Sequence, residues 1–177
     1  MASRNINDLV LELATTARLT EKNCKEQGID LLIYCTLRTP EEQARLYRQG
    51  RATWIIRRKQ RSLREGGYGF LANIIEAVGP QYGSRVTYAG PGESWHNLGM
   101  AFDAVPLVNG AAMWKYRKNK WLWETYGRVA KDLGLTWGGD WRGFKDYPHS
   151  QLQAHGNPID FYSPSKLKVK LKELKVL

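Results

Sequence analysis

The residue types best suited to chemistry lie together in residues 94–103, Ser-Trp-His-Asn-Leu-Gly-Met-Ala-Phe-Asp. His96 and Asp103 offer an imidazole and a carboxylate, and a turn at Gly99 would bring a His96 nitrogen and an Asp103 oxygen to one point. A catalytic zinc usually takes three protein ligands and keeps its fourth position for water. The stretch therefore predicts a metal site that needs a third ligand from elsewhere.

The third ligand is predicted to be His149. The chain has three histidines. His149 ends the segment Asp-Tyr-Pro-His, in which Asp146 lies three positions before it. A carboxylate so placed can accept a proton from metal-activated water without binding the metal. His155, close to Gly156 and Pro158, is interpreted as structural. A His-x6-Asp element followed by Asp-x-x-His predicts zinc-dependent hydrolysis.

These motifs resemble a known group of enzymes. Residues 94–103 fit the pattern SxHxxGxAxD, the signature of the metallopeptidases that include D-Ala-D-Ala dipeptidases and carboxypeptidases, L-alanyl-D-glutamate endolysins and the hedgehog signalling domain. Residues 137–141 and 144–149 look most like the phage endolysins of the group, which cut the L-Ala to D-Glu bond of peptidoglycan stem peptides. The likeness covers residues 29–52 and 86–152.

The resemblance implies a complete site around one Zn²⁺ ion. His96, Asp103 and His149 are the expected ligands and Asp146 the general base, although the better-known dipeptidases carry glutamate at that position. Arginine and glutamine line the site of the resembling endolysins and bind substrate, which assigns these roles to Arg38 and Gln43. Arg38 could grip a substrate carboxylate or stabilise the oxyanion. The family's serine corresponds to Ser94.

The elements that must position these residues can be read from periodicity and capping signals. Apolar residues at helical intervals predict a helix over 8–27, and a β-rich apolar run predicts a strand over 29–35. Thr39, Pro40 and Glu42 form a capping box that begins a helix over 40–49. A further helix is expected over 121–133, closed by Gly134. The predicted fold is α+β, a small antiparallel sheet flanked by helices, as the resemblance also implies.

Two segments lie outside the likeness. Residues 53–85 form an insertion that is atypical of the family and contains the basic run Arg57, Arg58, Lys59, Arg61 and Arg64. It is predicted to be either a solvated helical insertion or a surface that contacts the cell wall or an anionic membrane. The basic tail, 164–177, fits an edge strand or an amphipathic helix equally well. We expect one domain over 1–177.

Composition and charge set limits on the class of protein. The 177 residues carry a formal charge of +10, and 42% of them are hydrophobic, which indicates a folded chain attracted to polyanions. The two cysteines lack metal-binding spacing, so cysteine-ligated zinc has no support. The N-terminal residues lack the apolar run of a secretory signal, and no stretch is long enough for a transmembrane helix.

The expected function is that of an endolysin. The resemblance implies a monomeric zinc endopeptidase that cleaves the L-Ala to D-Glu bond of peptidoglycan and binds the anionic cell envelope, not nucleic acid. It would be made in the host cytoplasm and reach the wall through a separate holin-type partner. Three alternatives stay open: a zinc D,D-carboxypeptidase, a catalytically inactive zinc domain that binds a ligand, and a basic nucleic-acid-binding protein.

Overall fold

The computed structural model describes residues 2–177, which divide into two compact units. The sheet unit comprises Ala2–Leu37 and Gly99–His155, and the helical unit comprises Arg38–Leu98 and Gly156–Leu177. Each unit is continuous in space but not in sequence, since the chain passes between them more than once.

The sheet unit is built on one antiparallel sheet. Its strands are β1 (Asp30–Cys35), β2 (Ala101–Val108), β3 (Ala111–Ala112), β4 (Thr136–Trp137) and β5 (His149–Gln151). The order is β1-β2-β5-β4, and β3 pairs with β2. Helices α1 (Leu11–Glu26) and α5 (Lys120–Asp132) contact this sheet. The predicted fold class, an antiparallel sheet with helices packed against it, is confirmed.

The core of the sheet unit lies between α1, α5 and the sheet. Its largest buried side chains are Trp123 and Tyr126 of α5 and Phe102 of β2. Strand β2 is buried over its first six residues, because neighbouring strands cover both of its edges and helices contact it. Full burial of one large apolar side chain stabilises the folded state by about 1.5–3 kcal/mol relative to leaving it exposed. The strand that carries Asp103 is therefore held rigidly.

Helix α1 begins later than the sequence predicts. Asn7 and Asp8, which lie at the predicted start, instead belong to a short 3-10 helix, Ile6–Asp8, in which the Asn5 side chain accepts from the Asn7 N–H at 3.0 Å. Val10 occupies the N-cap position of α1 and offers no side-chain hydrogen bond. The predicted end is confirmed, because Gly28 follows α1 with a φ of +78° that suits glycine.

The helical unit contains α2 (Pro40–Arg48), α3 (Thr53–Glu65), α4 (Gly69–Ala77), α6 (Pro158–Phe161) and α7 (Pro164–Glu173). The capping box predicted at the start of α2 is present, with the Thr39 hydroxyl accepting from the Glu42 N–H at 3.1 Å. The insertion forms α3 and α4, and the basic tail forms α7. Among the described residues, every helix is too short or too polar to cross a membrane.

Buried contacts join the insertion to the rest of the helical unit. The Tyr68 hydroxyl contacts the carbonyl oxygens of Ile159 and Tyr162 at 2.9 and 2.7 Å. Lys59 forms a half-buried ion pair with Glu93 at 2.7 Å. The buried apolar side chains of this unit include Ile56, Leu63, Leu71, Ile75, Leu167 and Leu171. Within its own unit the insertion is thus a packed element, and Arg57, Arg58, Arg61 and Arg64 remain exposed.

Candidate metal centre and its surroundings

The sheet unit brings Asp103 and His149 together. The two residues are directly opposite each other where β2 pairs with β5, and side chains so paired lie on the same face of a sheet. The Nδ1 atom of His149 is 3.1 Å from Oδ1 of Asp103, and both side chains are about nine-tenths buried. Two of the three predicted metal ligands therefore meet, although 46 residues separate them in sequence.

The second nitrogen of the His149 ring has its own partner. Nε2 lies 2.9 Å from the Oε1 atom of Gln151, which is also buried. Burial by itself lowers the pKa of His149, but the hydrogen bond and charge of Asp103, the charge of Asp146 and the Gln151 contact together raise it above its ordinary value. The pocket around this ring therefore favours a positive charge.

This arrangement fits a divalent metal. An amide oxygen accepts only, so Nε2 must donate to Gln151 and Nδ1 then presents either a second proton or a lone pair to the Asp103 carboxylate. In the second case two acceptors face each other at 3.1 Å, an arrangement that a metal ion bound by both would satisfy. A neutral imidazole nitrogen and a carboxylate oxygen are ordinary zinc ligands, with one negative charge between them.

Asp146 is fixed beside His149 by the main chain. Its N–H donates to the Gly138 carbonyl at 3.0 Å, and its own carbonyl accepts from the His149 N–H at 3.1 Å. A Cβ atom at Gly138 would lie 2.4 Å from the Asp146 carbonyl oxygen and 3.2 Å from the His149 Cβ. Only glycine permits this approach at position 138. The Asp146 side chain remains half-exposed.

Strand β1 adds two residues that sequence reasoning missed. The register between β1 and β2 shifts between Ile33 and Cys35, so that Cys35 lies opposite Asp103 and Tyr34 is the extra residue of the bulge. The Cys35 sulfur and an Asp103 carboxylate oxygen lie within 4.8 Å of each other. The cysteine spacing lends no support to cysteine-ligated zinc, yet the fold places this sulfur close to a predicted metal ligand. The amino-acid sequence of β1 does not indicate a bulge. No sequence signal could therefore have placed Cys35 opposite Asp103.

Tyr34 faces the same carboxylates. Burial raises its pKa first, and the charges of Asp103 and Asp146 raise it further. Its ring also meets Trp114 edge-on, with the centroids 5.2 Å apart. The phenol therefore stays neutral well above neutral pH and retains its proton as a hydrogen-bond donor.

The helical unit carries the predicted substrate-binding pair. An Nη1 hydrogen of Arg38 is donated to Oε1 of Gln43 at 2.8 Å. Gln43 is completely buried, and its amide nitrogen donates to the Ala89 carbonyl at 2.7 Å. Arg38 precedes the capped start of α2, while Gln43 lies within the first turns of that helix. The two residues thus form one connected group, in which Gln43 orients the guanidinium.

His96 and Ser94 lie in the same unit, at a tight 3-10 turn, Trp95–Leu98. The His96 carbonyl accepts from the Arg38 N–H at 3.0 Å, and the Asn97 side chain donates to the Arg38 carbonyl at 2.8 Å. Asn97 also accepts from the Gly92 N–H at 2.9 Å. Asn97, which the sequence suggested only as a turn former, therefore holds the histidine segment against Arg38. Ser94 and His96 are both buried.

Three further residues near the motifs can be placed. Asp140 ends a 3-10 turn and forms a surface ion pair with Lys131 at 2.7 Å. His155 is exposed. Gly99, the predicted turn residue of the motif, has a φ of +63°, and a Cβ there would lie 2.8 Å from the Asp8 carbonyl oxygen.

A buried carboxylate and imidazole that fit a metal, with Asp146 fixed beside them, are residue types that zinc hydrolases use as ligands and general base. Residues 88–152 match the family described as D-alanyl-D-alanine carboxypeptidase. The chain is 36% identical over 132 residues to the peptidoglycan L-alanyl-D-glutamate endopeptidase CwlK of Bacillus subtilis. It is 30% identical over 159 residues to the L-alanyl-D-glutamate peptidase of Listeria phage A118. The resemblance to this group of peptidases is confirmed.

These alignments differ in how much of each protein they cover. They include 71% and 89% of this chain, which spans 62% of the length of the Bacillus protein and 43% of the phage protein. Among solved structures, the L-Ala D-Glu endopeptidase ChiX of Serratia marcescens aligns with a TM-score of 0.46 at 20% identity, covering 86% of this chain and 89% of that one. The vancomycin resistance D,D-pentapeptidase VanY, in complex with Zn(II), aligns with a TM-score of 0.44 at 18% identity, over 94% and 83%.

Proposed function

We propose that this chain is a zinc endopeptidase that cleaves the L-Ala to D-Glu bond of the peptidoglycan stem peptide. The observation that carries the proposal is the buried pair of Asp103 and His149, whose facing atoms fit a cation, in a chain of which two relatives are named for this bond. The predicted ligand set, His96, Asp103 and His149 around one ion, is part of the proposal.

The protein's own residues divide the remaining work. When bound, zinc supplies an activated water and polarises the scissile carbonyl. Asp146 takes the proton released during attack and passes it to the leaving amine, a role typically worth about 10² to 10⁴-fold in rate. Arg38, oriented by Gln43, binds a carboxylate of the acidic stem peptide or the developing oxyanion. Ser94 is assigned to the substrate side of the site.

Digestion of purified peptidoglycan tests the activity. We expect new L-Ala carboxyl ends and new D-Glu amino ends, identified by mass spectrometry of the released fragments. The Asp146→Ala protein, loaded with zinc, is the control and should release neither. Release of free D-Ala without new L-Ala ends would overturn the proposed bond specificity.

A D,D-carboxypeptidase is the second candidate. The description of the family that matches residues 88–152 favours it, since the same metal and base can cut a D-Ala-D-Ala terminus. The digestion distinguishes the two candidates by product. A peptidoglycan from which terminal D-Ala has been removed in advance should remain a substrate if the endopeptidase assignment is correct.

We further propose a role in host cell lysis. In this proposal the chain forms one monomeric domain, is made in the cytoplasm and reaches the wall through a separate holin-type partner. The cationic outer face of α3, formed by Arg57, Arg58 and Arg61, binds the anionic cell envelope by electrostatic attraction. Lysis of host cells only when the chain is produced together with a membrane-permeabilising protein would support this role, and lysis without one would contradict it.

A further inference from the structure

Gln151 is a buried polar residue for which the motifs give no role. It ends β5, two residues after His149, and only 5% of its surface is exposed. Its main chain pairs with Ala101 on one side and Thr136 on the other. Its side chain therefore projects from a strand that is held on both edges, and its position relative to His149 is fixed by the backbone.

The orientation of the Gln151 amide follows from its two partners. Its nitrogen donates to the Gln153 carbonyl at 2.6 Å, which leaves Oε1 as the atom that faces His149 Nε2 at 2.9 Å. Reversing the amide would place an NH₂ group against the ring and an oxygen against the Gln153 carbonyl, where two acceptors would meet. Only one orientation satisfies both contacts.

We propose that Gln151 is a positioning residue that keeps the proton of neutral His149 on Nε2, so that the Nδ1 lone pair is directed at Asp103 for metal binding. A histidine with one metal-binding nitrogen commonly donates from the other to a carboxylate or carbonyl oxygen, which sets the tautomer and the ring orientation. The amide oxygen of Gln151 can serve as this hydrogen-bond acceptor without adding a negative charge to a site that must stay electrophilic. The inference rests on the proposed zinc site.

Three variants separate this role from packing. Gln151→Met keeps the length and apolar volume of the side chain but removes the oxygen. Gln151→Glu keeps an oxygen towards the ring and loses the bond to Gln153. Gln153→Met is the matched control, because it makes the same chemical change two residues on and retains the main-chain carbonyl that accepts from Gln151.

Zinc affinity is measured by competition with a chelator at fixed pH. We expect Gln151→Met to weaken zinc binding by about 10 to 100-fold, while Gln151→Glu restores most of the affinity and Gln153→Met matches the unaltered protein. Thermal unfolding of the metal-free proteins reports packing separately. Equal zinc affinity in Gln151→Met and the unaltered protein would overturn the inference and leave the proposed function intact. Equal weakening by Met and Glu would assign Gln151 a packing role only.

Nitrogen-15 NMR of the His149 ring provides a readout that does not depend on activity. In the zinc-loaded protein we expect a proton on Nε2 and a metal-shifted Nδ1. In the metal-free protein, at a pH high enough to leave the ring neutral, the Nε2–H form should dominate and should be lost in Gln151→Met. A neutral ring protonated on Nδ1 would overturn the inference whether or not zinc binds. Failure of the unaltered protein to bind zinc would instead count against the proposed function.

Discussion

The sheet unit and the helical unit differ in charge and in the kind of group that they contribute. The helical unit contains fifteen Lys and Arg residues and seven Asp and Glu residues, a net charge of +8. The sheet unit contains twelve Lys and Arg residues and ten Asp and Glu residues, a net charge of +2. Asp103, Asp146 and His149 belong to the sheet unit, while the predicted ligand His96, Arg38 and the cationic face of α3 belong to the helical unit.

The difference follows from what each task requires. A metal ligand must be held within a fraction of an ångström, and paired strands fix both the position and the direction of a side chain. Attraction to a polyanion requires only that cations be exposed and close together, which the outer face of a helix provides at little cost. We therefore expect changes in the sheet unit to affect catalysis on every substrate, and charge changes in the helical unit to affect binding to large anionic substrates.

The largest expected effect comes from removing a ligand in the sheet unit. His149→Ala should abolish stoichiometric zinc binding and lower the rate on soluble stem peptide by on the order of 10³-fold or more, because activation of water and carbonyl is lost. Metal analysis and peptide cleavage measure both. His155→Ala, which alters an exposed histidine, is the control and should behave like the unaltered protein. Full zinc content in His149→Ala would contradict the ligand assignment.

The second-largest expected effect distinguishes the general base, Asp146, from the metal ligands. Asp146→Ala should lower kcat by about 10² to 10⁴-fold while one zinc ion remains bound, since the carboxylate is proposed to move a proton and not to hold the metal. Asp140→Ala removes a nearby carboxylate that forms a surface ion pair and should leave kcat unchanged. Loss of zinc from Asp146→Ala would make that residue a ligand.

The pH dependence of zinc binding is expected to be smaller. Burial lowers the pKa of His149 in the metal-free protein, but Asp103, Asp146 and Gln151 together raise it above its ordinary value. A proton therefore competes with the metal at higher pH than it would at an ordinary histidine. Below that pKa, apparent zinc affinity should fall about tenfold per pH unit, because one proton must leave for each ion bound. Affinity that stays constant as the pH falls through and below the ordinary histidine range would contradict this expectation.

The same raised pKa has a consequence for the metal-free fold. The stabilisation from the protonated His149 and Asp103 pair is fully present below the ordinary histidine pKa and is lost as pH rises through the raised one. Thermal unfolding of metal-free protein across this range should therefore show decreasing stability with rising pH. His149→Gln should remove that slope.

The smallest expected effect lies in the helical unit. Changing Arg57, Arg58 and Arg61 to Gln should reduce activity on intact walls several-fold and more steeply at low salt, with cleavage of soluble peptide retained. The matched control neutralises Lys25, Arg117 and Lys118, three exposed cations of the sheet unit. Equal losses in both variants would show that total charge matters and that its location does not.

Local signals in the sequence predicted most of the elements. The capping box at Thr39 and Glu42 identified the start of α2, because a helix N-terminus is satisfied by neighbouring residues alone. Gly134 similarly identified the end of α5. The start of α1 was missed because Asn5 and the following polar residues cap a separate 3-10 turn. For the basic tail, the alternation of Lys with Leu and Val fitted strand and helix equally, and the structure shows a helix.

The sequence by itself determined which residues are the candidates for the site, since the motif types, their spacing and the resemblance that they carry predict His96, Asp103, His149 and Asp146. Only the tertiary structure decided how these groups are held and what surrounds them. The pairing of Asp103 with His149 depends on strand register, the arrival of Cys35 opposite Asp103 depends on a bulge, and the Gln151 contact depends on both. Register and bulges arise from packing between distant segments, which no local pattern encodes.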